Sequence, residues 1–152
     1  MFQKLLVVLA LMSPIFSVSV SYADMQDAAN LNNNNKMLLE HLHNISMMAR
    51  GIEGNERNLA FDIHTDALRI YEKTNDLIDF EALRNQMESA NDKELIKARI
   101  FERVEGMKSD CELSLVYLNE VLSGIQNRAL SSEAQRTKNA IVQSCSILQH
   151  WK

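Results

Sequence analysis

Cys111 and Cys145 are the only two thiols in the chain. They could form a structural disulfide, or one could be a reactive thiolate. A reactive thiol needs a lowered pKa, usually from a C-x-x-C pair, a nearby His or a helix N-terminus. Cys111 has neither a second Cys nor a His beside it in sequence. The spacing favours the disulfide on independent grounds. The midpoint of 111 and 145 is residue 128, inside an expected turn, and in an antiparallel helix pair residues equidistant from the turn lie side by side. Leu115 with Ile141 and Leu122 with Ala134 share nearly that midpoint. A bridge closing this 34-residue loop is expected to stabilise the fold by roughly 3–4 kcal/mol.

Glu40-x-x-His43 has the spacing with which di-iron helical bundles grip a metal, since positions i and i+3 share a helix face. Such sites need a second E-x-x-H, and the chain has none. On a helix both residues also fall opposite the apolar stripe, so no metal site is expected there. His41 and His43 are two apart and diverge on a helix. His64 follows the core position Ile63 and is expected to be half-buried. The Met residues at 25, 37, 47, 48, 87 and 107 are expected at core or boundary positions. No G-x-S-x-G, H-E-x-x-H, P-loop or C-x-x-C-H pattern occurs. No catalytic residue and no cofactor is expected. Asn44-Ile45-Ser46 is a glycosylation sequon placed in mid-helix, a weak signal.

The elements that position these residues read as helices. Residues 1–23 have the form of a cleavable export signal: Lys4, an apolar run from Leu5 to Val20, then Ser21-Tyr22-Ala23. That run is too short and too broken for a comfortable membrane span. Residues 24–35, DMQDAANLNNNN, read as a polar flexible arm. Residues 36–152 read as one helical domain. Leu38, Leu42, Ile45, Ala49 and Ile52 draw one apolar stripe, and Leu59, Ile63, Ala67, Ile70, Thr74 and Leu77 draw another. Gly51 and Gly54 separate them, with Asn55 placed to cap the second. Asn91 with Glu94 reads as a further helix start. A break is expected between Val104 and Ser109, because Ser109-x-x-Glu112 fits a capping box. The next helix carries Cys111, Leu115, Leu118, Leu122 and Ile125, and Ser132 with Gln135 marks the start of the last. The expected fold is therefore all-α, an antiparallel helical bundle of four to six helices with one disulfide.

The formal charge is −4 with no Lys/Arg cluster, which argues against nucleic acid and against anionic membrane surfaces. A second apolar stripe, Leu113, Tyr117, Val121 and Gly124, runs beside the main one on the Cys111 helix. It would either meet a second neighbouring helix or form an exposed groove or dimer face for a partner. The chain is thus expected to be a non-enzymatic module, exported most readily to a bacterial periplasm, that binds another exported protein. An inhibitor or immunity-type protein would have this form, and the outline is similar to theirs without a shared motif. The alternative is a helical carrier of a small apolar ligand or cofactor.

Overall fold

The computed structural model describes residues 22–151, with side chains from Met25 onward. The export signal expected over 1–23 lies outside these residues but for Tyr22 and Ala23. Four helices follow in order: α1 (Tyr22–Arg50), α2 (Asn55–Gln86), α3 (Ala90–Ser123) and α4 (Arg128–His150). Each packs antiparallel to its neighbour in the chain, and α4 closes the bundle on α1. Helices α2 and α4 touch across one diagonal, while α1 and α3 stand apart on the other.

The cause is a 3–4 alternation of inward positions. In α2 the buried series is Ala60, Ile63, Ala67, Ile70, Thr74, Leu77, Glu81 and Arg84. In α3 it is Ile100, Val104, Met107, Cys111, Ser114, Leu118 and Val121. Such a repeat keeps one seam of a helix facing its neighbours along its whole length. Leu31, Leu38, Ile45, Ile63, Ile70, Leu77, Leu118, Leu130, Ile141 and Leu148 are completely buried. The seam of α3 differs from the expected one. Ser114 and Val121 take inward places, and Leu115, Leu122 and Ile125 pack only partly buried against the core.

The expected flexible arm at 24–35 is instead the first half of α1. Leu31 continues the stripe of Leu38, and Asn34 and Asn35 are buried beside it. Asn34 donates to the Ala140 carbonyl at 2.7 Å and to Ser144 Oγ at 2.6 Å. Asn35 accepts from Thr74 Oγ1 at 2.9 Å. The polar composition hid an inward face that these hydrogen bonds help to hold, although Asn34 Oδ1 and Asn35 Nδ2 are buried without a partner among the described residues. The expected break at 104–109 is also absent. Val104, Met107 and Cys111 keep the repeat unbroken through Gly106, so packing outweighs a mid-helix glycine, which costs about 1 kcal/mol relative to Ala.

The caps lie elsewhere too. Ser89 Oγ accepts from the Asp92 N–H to start α3. Asn127 Oδ1 accepts from the Leu130 N–H at 3.0 Å and starts α4 ahead of the expected Ser132. Helix α2 begins at Asn55, so the cap position falls to Gly54 and not to the expected Asn55. No described side chain caps this end, and Gly54 has a φ of +70° that an L side chain rarely adopts.

Candidate functional site

The disulfide forms as expected. Cys111 and Cys145 are bonded, with Cα atoms 5.7 Å apart, and both are buried. It ties α3 to α4 and exposes no sulfur chemistry. On its other side α3 is held to α2 by a polar ladder. Arg69 bonds Asp66 at 2.8 Å and Asp110 at 3.4 Å, and Lys73 also pairs with Asp110. Ser114 donates to Asp66, and Arg103 meets Asp76 at 3.1 Å while stacking on Phe80. Helix α3 is therefore fixed along both flanks.

The predicted stripe splits on this frame. Val121 is buried in the core. Gly124 caps α3 against α2, where a Cβ would sit 3.2 Å from Leu59 Cδ1. Val121 is thereby spent on helix packing, while Gly124 stays exposed at the end of α3. Leu113 is 63 % exposed and Tyr117 39 % exposed. Val116, which the sequence analysis did not single out, joins them at 61 %. At i, i+3 and i+4 the three share one face of the helix. The Tyr117 hydroxyl is pushed above the usual phenol range by partial burial, then by the charge of Asp62 and the hydrogen bond to it, with Asp66 and Glu120 adding. A hollow of about 220 Å³ beside the ring is lined by Asp62, Thr65, Asp66, Arg69 and Tyr117.

A second polar constellation joins α1 to α4. His41 Nδ1 lies 2.7 Å from Glu133 Oε1, and Asn44 Nδ2 donates to the same oxygen at 3.1 Å. Arg136 reaches the other oxygen at 3.5 Å, and only 6 % of the Glu133 side chain is exposed. Burial by itself would raise the Glu133 carboxyl. The hydrogen bonds from Asn44 and His41, and the charges of His41 and Arg136, outweigh it and hold the group below the ordinary carboxylate range. Sequence reasoning missed this cluster because its parts are 92 residues apart. Only the α1–α4 pairing brings them together. The sequon is engaged in the same place, since the Asn44 amide is spent on Glu133.

No protein-family profile, curated protein or solved structure matches the chain.

Glu40 and His43 are exposed on the outer side of α1, and His64 is half-buried. All three line an open groove of about 640 Å³ between α1 and α2, with Leu39 and Leu68. Among the described residues no three His, Cys, Asp or Glu side chains cluster so as to hold a metal ion. Of the methionines, Met107 is buried and Met48 and Met87 are half-buried. Met25, Met37 and Met47 are exposed, against the expectation of core or boundary packing. No described helix is long and apolar enough to cross a membrane.

Proposed function

We propose that the chain is an exported, non-enzymatic binding module that meets another exported protein through the outer face of α3. The observation that carries this reading is the exposure of Leu113, Val116 and Tyr117 on one face of a helix clamped from both sides. Apolar and aromatic side chains on a rigid support lose little freedom when a partner covers them, so more of the burial energy appears as affinity. An inhibitor or an immunity-type protein uses a scaffold of this kind. The disulfide supports an oxidising compartment, the periplasm being the expected one.

The reading as a carrier has less support. Fully buried Leu and Ile side chains occupy the space between the helices, and the groove lined by Leu39 and His64 opens to solvent. Native mass spectrometry of the protein taken from its own exported fraction tests the proposal. A stoichiometric second polypeptide is the expected result. A small retained mass in its place would favour the carrier, and a bare chain would contradict a stable complex.

A further inference from the structure

We infer that the segment docked on α3 is a cationic amphipathic helix, with apolar side chains over Leu113, Val116 and Tyr117 and Lys or Arg reaching the carboxylates around them. The inference rests on the binding-module reading and names the partner's chemistry. Its ground is where the charge sits. The paired segments 62–73 of α2 and 109–120 of α3 carry six carboxylates and two cations, Arg69 and Lys73, and from α4 Lys138 reaches Asn119 at 2.5 Å. With Lys138 counted the local balance is 3 − 6 = −3, most of the −4 of the entire chain.

Arg69 and Lys73 are already engaged by Asp66 and Asp110. Glu112 and Glu120 bracket the apolar face on α3, both exposed and without an ion pair among the described residues. They are eight positions apart, about 12 Å along the helix axis. A partner helix with cations about two turns apart would match both ends. The hollow beside Tyr117, with Asp62 on its wall, takes the end of one long side chain. Apolar contact supplies affinity there, and the carboxylates supply selection and orientation. An anionic lipid surface would be repelled by the same rim.

The test uses the full chain and a labelled amphipathic peptide of Leu and Lys, about four helical turns long. A second peptide carries Glu at every Lys position. The Lys peptide is expected to bind saturably and to weaken as salt rises from about 0.05 M to about 0.5 M, because ions screen the rim. The Glu peptide is expected not to bind. Leu113→Ser combined with Val116→Ser should weaken binding about tenfold or more. Glu112→Gln with Glu120→Gln should weaken it and flatten its salt dependence. Unchanged thermal unfolding in both variants confirms that the fold is intact.

Equal binding of the Glu peptide, failure of the Lys peptide, or indifference to these substitutions overturns the inference. Self-association in sedimentation that Glu112→Gln and Glu120→Gln abolish would give the face to a second copy, and would overturn it too. Suppose the Lys peptide fails while the native partner still binds wild type and not the Leu113→Ser, Val116→Ser variant. The binding-module reading then stands and only the partner's charge is refuted. Loss of both refutes both.

Discussion

Glu133 is the one carboxylate of α4, and its hydrogen bonds make its contribution to stability depend on pH. Its folded pKa is lower than its unfolded one. The stability it contributes is therefore complete above the unfolded carboxyl range and is lost as pH falls through the folded value. Denaturant midpoints followed from about pH 7 to about pH 3 should fall less in Glu133→Gln than in wild type. Parallel curves would contradict the cluster. His41→Ala removes one of the partners of a carboxylate that stays buried and should cost about 1–2 kcal/mol at neutral pH, measured by urea unfolding. Gly54→Ala forces an L side chain into φ +70° and should cost about 1 kcal/mol by the same measurement.

Among the elements, the α3–α4 pair is the one joined covalently. Removing the bridge with Cys111→Ser and Cys145→Ser should lower unfolding stability by roughly 3–4 kcal/mol while helical circular dichroism is retained. A change below about 1 kcal/mol would mean that packing alone sets this pair. The same pair was the most legible in sequence, because two Cys on inward positions and equidistant from a turn report pairing as well as periodicity. The stripes of α2 and the Gly51–Gly54 turn were legible for the same reason: apolar residues recur at helical spacing and glycines interrupt them. Helix starts were less legible. Ser109-x-x-Glu112 has the composition of a cap but lies inside a continuous helix, since the repeat through Val104, Met107 and Cys111 is worth more than a local cap. The first half of α1 was hidden for the opposite reason. Its inward residues include Asn34 and Asn35, whose partners on α4 and α2 do not show in the linear sequence.

For the whole molecule, the apolar stripe expected on α3 divides in the structure. Leu113 and Tyr117 are exposed, Val121 is buried in the core, and Gly124 is exposed beside Leu59 with no room for a larger side chain on that side. Periodicity marks an apolar face and cannot say which of its turns a neighbouring helix covers. Val116 was missed because it lies off the expected stripe and becomes notable only once its exposure is known. Because these side chains stand in solvent, Leu113→Ser and Val116→Ser should change stability by no more than about 0.5 kcal/mol. Loss of partner binding in a variant that unfolds like wild type would then report on contact alone. The most direct measurement is photo-crosslinking in the exported fraction of the producing cell, with a photoreactive residue at Val116 in one variant and at the exposed Gln143 of α4 in another. One discrete adduct from position 116 and none from 143 is the predicted result. Equal labelling from both positions, or an adduct from 143 alone, would contradict α3 as the binding face.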